Sequence, residues 1–436
     1  MKIAIIGYGI DGQSSYTYYS AKPDTEVIVH DKDTNLDLPD GIKRALGDNY
    51  LDNLNEYDLI IRSSGINPNL ILDKNPQVKE KITTQINEFM KVCPTKNIVG
   101  VTGTKGKGTT STLITKMLEA SGKEVFLGGN IGIAPLSFLD KLSPESYVVL
   151  ELSSFQLSDF SSSSPHIAVC LMVVPEHLNW HKDMDAYAAA KANLFSHQSS
   201  NDIAIYFADN EVSKQIASVS TGQLLPYFER PGALIELGNI VIEDQVICRT
   251  DELKLIGEHN WQNVCAAVTA YWQIDKNVEA IKSVLTSFVG LEHRIEFVKD
   301  IDEVRYFNDS YASGLKATEA AIESIPGKKV MILGGYERML DLDSFCNYAA
   351  SNQDQFRTFV IIGESGKRLA DCLEKAGFSN YILADSLKTM NDIVLKAKGL
   401  AEAGDAVVLS PGFASFDMFK NFSDRGQKFK EAVNNL

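Results

Sequence analysis

Nine residues restrict the folding choices of this chain more than any others: Thr102-Gly103-Thr104-Lys105-Gly106-Lys107-Gly108-Thr109-Thr110. They follow the strand-like run Asn97-Ile98-Val99-Gly100-Val101 and precede a helical pattern. Strand, small-residue turn and helix in that order predict a phosphate loop. Glycines let backbone N–H groups close around phosphate oxygens, the helix N-terminus adds positive potential, and Lys107 reaches the terminal phosphates. The glycines stand closer together than in the strict Walker pattern, and Gly108 occupies the place of the usual Ser or Thr after the lysine. The hydroxyl that helps hold magnesium is therefore expected from Thr109 or Thr110.

At 436 residues the chain exceeds one ordinary core, so two or three domains are expected. A formal net charge of −15 excludes a general nucleic-acid surface, which needs clustered Lys and Arg. The six cysteines form no C-x-x-C pair and predict reduced thiols rather than disulfides or a zinc site. No apolar run reaches transmembrane length, and Met1-Lys2-Ile3-Ala4-Ile5-Ile6 reads as a strand rather than a secretion signal. The expectation is a cytoplasmic protein with no membrane insertion.

Three units follow one another, all α/β. The first, over residues 1–92, opens with a strand and the turn Gly7-Tyr8-Gly9-Ile10-Asp11-Gly12. A second strand, from Glu26, ends at Asp31, where a dinucleotide fold keeps its ribose-binding acid; a third ends in Arg62-Ser63-Ser64-Gly65. The second unit, over 93–293, carries the phosphate loop, then Gly128-Gly129-Asn130-Ile131-Gly132 and the strand ending Leu150-Glu151-Leu152-Ser153-Ser154. Glu151 stands where a Walker B acid holds magnesium, or else it is a solvated strand end. Ile167 to Val174 is read as a strand leading into Pro175-Glu176-His177, which puts His177 near a strand end, with His181 an ordinary surface or packing residue. A helix with Tyr187 and Lys191 follows. Asn260 and Asn263, three apart in Gly257-Glu258-His259-Asn260-Trp261-Gln262-Asn263, share a helix face suited to a base edge; capping is the other role open to Asn260. The third unit, over 294–436, has strand-like runs from Val330, Phe359, Tyr381 and Ala406, three of them followed by glycines. It is a second doubly wound domain.

Six motifs in order, T-G-T-K-G-K-G-T-T, G-G-N-I-G, E-L-S-S-F-Q-L, H-N-W-Q-N, H-R at Arg294 and F-N-D-S, resemble the Mur ligase family along essentially the whole chain. These are the ATP-dependent amide ligases of bacterial peptidoglycan precursor synthesis. The resemblance implies a Rossmann-like nucleotide-sugar domain, a central P-loop ATPase-like domain and a C-terminal Rossmann-like domain. It also implies a reaction in which ATP phosphorylates the carboxylate of UDP-N-acetylmuramoyl-L-alanine and the amine of glutamate attacks the acyl phosphate. The partners are then small molecules, and a monomer suffices.

By the same resemblance, Lys107, His177 and Lys191 are catalytic. Two Mg2+ ions are implied, one on Thr109 and Glu151, the other on His177 and a carbamylated Lys191. An unmodified Lys191 on a helix surface is the alternative. ATP base and ribose contacts fall on Asn263, Arg294 and Asp309, with His259 and Asn260 nearby. The nucleotide-sugar substrate falls on Ile10, Asp11, Asp31, Ser64, Gly65, Asn130 and Ser153. Glutamate falls on Ser313, Arg338, Ser415, Phe416 and Phe422. Several positions depart from the family pattern. Asp11 replaces a common threonine, and no arginine lies close in sequence to Asp31 and Asp33. Tyr311-Ala312-Ser313-Gly314 replaces Lys-Ala-Thr-Asn, which leaves the sibling ligase for L-glutamate open beside that for D-glutamate. A folylpolyglutamate-synthetase-like ligase would not call for the separate N-terminal nucleotide fold. A nicotinamide-dependent dehydrogenase, argued from Gly7, Gly9, Gly12 and Asp31, leaves the phosphate loop unexplained.

Overall fold

The computed structural model describes every residue except 37, 132, 162, 256 and 258, together with the side chain of 259. Gly132, Glu258 and the His259 side chain, singled out above, lie outside the described residues. The chain divides into two compact units, residues 1–288 and 289–436.

The first unit holds two parallel sheets. Its N-terminal sheet is built from β1 (Lys2–Ile6), β2 (Glu26–Asp31), β3 (Lys43–Leu46), β4 (Leu59–Arg62) and β5 (Ile82–Thr84), in the order β3-β2-β1-β4-β5. Ile3, Ile5, Val29, Ile60 and Ile61 are buried, the continuous apolar pattern of a parallel sheet covered on both faces. The sequence marks three of these five strands. The short β3 and β5 carry Lys43, Arg44 and two threonines, so their partners, and not their own hydrophobicity, make them strands.

The second sheet comprises β6 (Ile98–Thr102), β7 (Val125–Gly129), β8 (Tyr147–Glu151), β9 (Ile167–Cys170), β10 (Ile203–Phe207) and β11 (Gln223–Tyr227), ordered β11-β10-β9-β6-β8-β7. β6 therefore lies between β8 and β9, and the loop leaving it emerges where the topology switches direction, the usual ligand crevice of open α/β sheets. A small antiparallel sheet of β12 (Leu234–Glu236), β13 (Asn239–Ile242) and β14 (Gln245–Arg249) completes the unit.

Two expectations are corrected here. β9 stops at Cys170 and does not run to Val174. Beyond it the backbone turns onto the phosphate loop, where Thr104 N–H donates to Met172 O at 2.8 Å and Val174 N–H donates to Thr104 Oγ1 at 3.0 Å. His177 is thus no strand-end residue. It sits at φ 57° ahead of a one-turn helix, Leu178–His181.

The second unit is one sheet of β15 (Glu296–Ile301), β16 (Val304–Asn308), β17 (Lys329–Gly334), β18 (Phe356–Ile362), β19 (Tyr381–Leu383) and β20 (Ala406–Leu409), ordered β15-β16-β20-β17-β18-β19. All neighbours are parallel except the β15–β16 hairpin, an edge that the sequence does not signal. All six cysteines are free thiols.

Candidate active site

The helix after β6 begins inside the glycine-rich motif, at Lys107, and runs to Ala120. Gly103 to Gly106 form the loop, while Lys107, Gly108, Thr109 and Thr110 are the first helical turn. Gly106 is the N-cap at φ 86°, with no side chain to bond the first-turn amides, so the positive end of the helix is left for an anion. Only glycine fits there. An added Cβ would lie 1.9 Å from Asn263 Oδ1. Asn263 thus packs on the phosphate loop, and its Nδ2 donates to Asn260 Oδ1 at 2.9 Å.

Lysines gather on this loop. Lys107 Nζ donates to Gly103 O at 3.1 Å and Thr104 O at 3.0 Å. Lys191 Nζ donates to the same Gly103 O at 2.8 Å. Asp183 starts the helix that carries Lys191 by accepting from Ala186 N–H at 2.8 Å, and that helix, Met184–Ala192, aims Lys191 inward. Lys191 is only 1% exposed, which corrects the reading of a helix-surface lysine. Burial, helped by Lys107, pulls its amine down to about 7. Tyr187 lies beneath it at 4.5 Å, with its hydroxyl 3.1 Å from Thr104 Oγ1. Lys105 instead turns outward to Glu176, at 2.8 Å.

Glu151 ends β8, paired with Val101 of β6, and is buried, so it is not a solvated strand end. Its Oε1 accepts from Asn130 Nδ2 at 2.9 Å. Ser153 caps the next short helix, Ser154–Leu157, in a reciprocal box with Gln156. Thr110 Oγ1 donates to Asn263 O at 3.5 Å. His177 packs on Phe155 with ring centroids 4.8 Å apart, and burial lowers its imidazole below the usual value, with Lys107, Lys191 and Lys105 acting in the same direction and Glu176 opposing. His181, expected as an ordinary surface or packing residue, is buried, with Nε2 2.9 Å from Ser154 Oγ. Among the described residues no three His, Cys, Asp or Glu side chains converge as a ready metal site. Magnesium there needs oxygen donors beyond Glu151, which a threonine hydroxyl or a lysine carbamate supplies.

At the N-terminal sheet, Asp31 Oδ2 accepts from Tyr8 N–H and Oδ1 from Asp33 N–H, both at 3.0 Å. Asp11 Oδ2 accepts from Ser64 Oγ at 3.3 Å, and burial raises its carboxyl above the ordinary value. Gly65 faces open space and Ile10 is exposed. Sequence reasoning missed Arg62, which joins carbonyls of the turn that follows it to Phe155, Ser158 and Asp159, more than ninety residues away.

In the second unit Asp309, Ser313, Arg338, Ser415, Phe416 and Phe422 gather at the carboxyl edge of the sheet. Arg338 Nη2 donates to Ser313 O at 2.6 Å, and Arg294 lies over the Tyr311 ring at 4.5 Å. Phe416 and Phe422 are exposed while Ser415 is buried. Asp309 is buried and pushed up to about 7 despite a 2.7 Å bond from Ser410 Oγ. Arg425, also missed, is buried and donates to Ser310 Oγ and Phe413 O at 2.9 and 3.1 Å.

Two families match: the Mur ligase middle domain at residues 101–271, and the Mur ligase glutamate ligase domain at 293–413. The chain is 34% identical to a UDP-N-acetylmuramoylalanine--D-glutamate ligase of Clostridium novyi, over 100% of its own length and 97% of the relative's. The protein of that name from Clostridium acetobutylicum is 36% identical, over 100% and 96%. The chain belongs to the Mur ligase family. As a Mur ligase it is an ATP-dependent enzyme that forms an amide bond. The fold agrees. The crystal structure of MurF ligase from Thermotoga maritima in complex with ADP aligns with a TM-score of 0.58 at 17% identity, covering 99% of this chain and 94% of that one.

Proposed function

We propose that this Mur ligase joins D-glutamate to UDP-N-acetylmuramoyl-L-alanine, a step in peptidoglycan precursor synthesis, acting as a cytoplasmic monomer. The observation that carries this reading is identity of 34–36% along the whole chain to ligases named for that reaction. The muramoyl-alanine carboxylate attacks the γ-phosphorus of ATP, giving an acyl phosphate and ADP. The glutamate amine then attacks the acyl carbon, loses a proton, and phosphate departs from the tetrahedral intermediate. No enzyme nucleophile is required, so positioning and charge neutralisation do the catalysis.

Lys107 at the helix N-terminus neutralises the transferred phosphoryl, and Gly103 to Thr110 cradle the phosphates. Asn263, Arg294 and Asp309 take the nucleoside. Ile10, Asp11, Asp31, Ser64, Gly65, Asn130 and Ser153 take the nucleotide sugar. Arg338, with Ser313, Ser415, Phe416 and Phe422, takes glutamate, since a guanidinium grips a carboxylate bidentately. Thr109 and Glu151 would hold one Mg2+, and His177 and Lys191 a second, which would supply positive charge at the phosphates. Lys191 would serve as its carbamate: the neutral amine attacks CO2, an N–C bond forms and one proton leaves. A buried amine brought down to about 7 keeps a substantial neutral fraction near neutral pH, which favours that addition. The boundaries near residues 92 and 293 divide these tasks among three domains.

The test is phosphate release from ATP with each substrate omitted in turn. Release only with both UDP-N-acetylmuramoyl-L-alanine and D-glutamate supports the proposal. Release with L-glutamate in its place assigns the chain to the sibling ligase, in line with the altered 311–314 segment.

A further inference from the structure

Arg62 is the last residue of β4 and is 1% exposed, a guanidinium wholly inside the first unit. Burying a cation costs several kcal/mol unless its donors are satisfied, so its partners report what it is kept for. Nη1 donates to three carbonyls of the turn that follows, Ser63 O at 3.4 Å, Ser64 O at 3.2 Å and Ile66 O at 2.9 Å. Nη2 donates to Phe155 O at 2.8 Å and Ser158 Oγ at 2.6 Å, and Nε to Asp159 Oδ2 at 2.5 Å. Those three partners lie on or just beyond the Ser154–Leu157 helix, which follows Glu151 and Ser153. One planar fork therefore grips the Ser64-Gly65 turn on one side and the chain leaving the magnesium acid on the other.

The turn is held from its other face as well. Asp11, at the start of the Ile10–Ser20 helix, accepts from the Ser64 hydroxyl, and the Arg62 charge acts on that carboxylate too. With its carbonyls drawn inward to Arg62, the turn exposes Gly65, where an added Cβ would meet no protein atom within 4 Å. Neighbouring bonds reinforce the join: Asn87 Nδ2 donates to Asp159 O at 2.6 Å, and Asn67 Nδ2 to Trp180 O at 3.1 Å.

We infer that Arg62 is a positioning residue: it sets the Ser64-Gly65 turn at a fixed offset from the Glu151–Ser153 segment, so that a nucleotide-sugar substrate held by the turn presents its carboxylate to the phosphoryl group. This rests on the assignment of Ser64 and Gly65 to the nucleotide-sugar site. Small misplacements of a reacting group cost large factors in rate, so a strut of this kind acts on one substrate far more than on the other. A lysine would keep the charge beside Asp159 but lacks the fork that reaches both sides.

Steady-state kinetics on the full chain, with melting temperature alongside, test it. Arg62→Ala is expected to raise KM for UDP-N-acetylmuramoyl-L-alanine about tenfold or more and to lower kcat, with KM for ATP within about twofold of the parent. Arg62→Lys should recover part of the loss, and Asp159→Asn should move the same KM in the same direction by less. If Arg62→Ala does not fold, the Lys and Asn variants decide the matter by the same split. Unchanged KM values with a lowered melting temperature, equal rises for both substrates, or full parent-like kinetics in Arg62→Lys would overturn the inference. Gly65→Leu separates the underlying assignment. Its Cβ meets no protein atom within 4 Å, so if the variant leaves the nucleotide-sugar KM unchanged the turn is not part of that site. If it raises that KM while Arg62→Ala does not, the site stands and the strut falls.

Discussion

Two glycine-bearing turns leave the carboxyl ends of neighbouring parallel sheets in the first unit, and they are lined by opposite charges. The turn after β1 is closed by acids: Tyr8 N–H already donates to Asp31, and Asp11 reaches Ser64. Both following helices have glycine N-caps without a side-chain cap, Gly9 and Gly106, but at the loop after β6 Lys107 and Lys191 both converge on Gly103. The backbone topology is shared, so topology does not tell a nucleotide-sugar turn from a phosphate loop. The side chains that occupy the amides do. A turn whose amide is taken by the carboxylate of a neighbouring strand offers a rigid surface to hydroxyl and amide groups, whereas a lysine-lined helix end is a seat for a polyanion.

The comparison breaks first at Lys107. Lys107→Ala should lower kcat about 10²–10³-fold, the usual cost of losing one well-placed charge in such a transition state, without a change in melting temperature. Near-parental turnover would mean that the lysine-lined loop is not where ATP reacts.

Lys191 comes next. Lys191→Ala should lose activity by about 10- to 100-fold, as for loss of a metal-site group, and short carboxylic acids should restore part of it. Lys191→Glu should outperform Lys191→Arg, because the sign of the charge matters more than length at a cation site. The folded amine sits at about 7 against 10.5 when exposed, so between those values the unfolded chain binds more protons. Stability therefore rises as pH climbs from 7 toward 10.5, and the buried ammonium is a burden below 7. In CO2-free buffer Lys191→Met should raise the melting temperature at acid pH and lose that advantage in alkali. Equal gains at both pH values would contradict a depressed amine.

Gly106→Ala sharpens the contrast at smaller scale. The φ of 86° and the 1.9 Å approach to Asn263 Oδ1 make any side chain strained there, at a cost of about 1–3 kcal/mol. KM for ATP should rise while KM for the nucleotide sugar stays put. A parallel rise in both would show that the loop serves the whole unit and not ATP.

How legible these two turns were differs for physical reasons. The phosphate loop is local: strand, glycines, lysine and helix are contiguous, so the sequence alone locates Lys107, whereas Glu151, at the end of β8, stays open between two roles until the fold is seen. The N-terminal turn is readable only as G-x-G-x-x-G, because what tunes it comes from Asp31, at the end of β2, and Ser64, in the turn after β4. Arg62 was invisible as a strut, since Phe155, Ser158 and Asp159 come to it only through folding. The apolar run Leu171 to Val174 hides the end of β9: Leu171 N–H still reaches Thr102 O of β6, but Met172, Val173 and Val174 serve Thr104 and Asn210 instead of extending the sheet. The strands β3 and β5 escaped notice for the opposite reason: they are polar, and pairing alone defines them.

The smallest effect, and the one that separates bracing from repulsion at the acidic turn, belongs to Asp31→Asn. Both carboxylate oxygens of Asp31 already accept backbone N–H groups, from Tyr8 and Asp33. If bracing is the role, the asparagine keeps one acceptor and loses the other along with the charge. Stability should fall by about 1 kcal/mol, the net worth of one such bond. KM for the nucleotide sugar should rise only about two- to threefold, since a partly loosened turn misplaces its ligand slightly. If instead the carboxylate chiefly repels the diphosphate, removing its charge would lower that KM, and raised salt would mimic the mutation by screening. A KM that falls, together with a salt dependence lost in the variant, would show that the acids oppose the ligand rather than hold the turn that receives it.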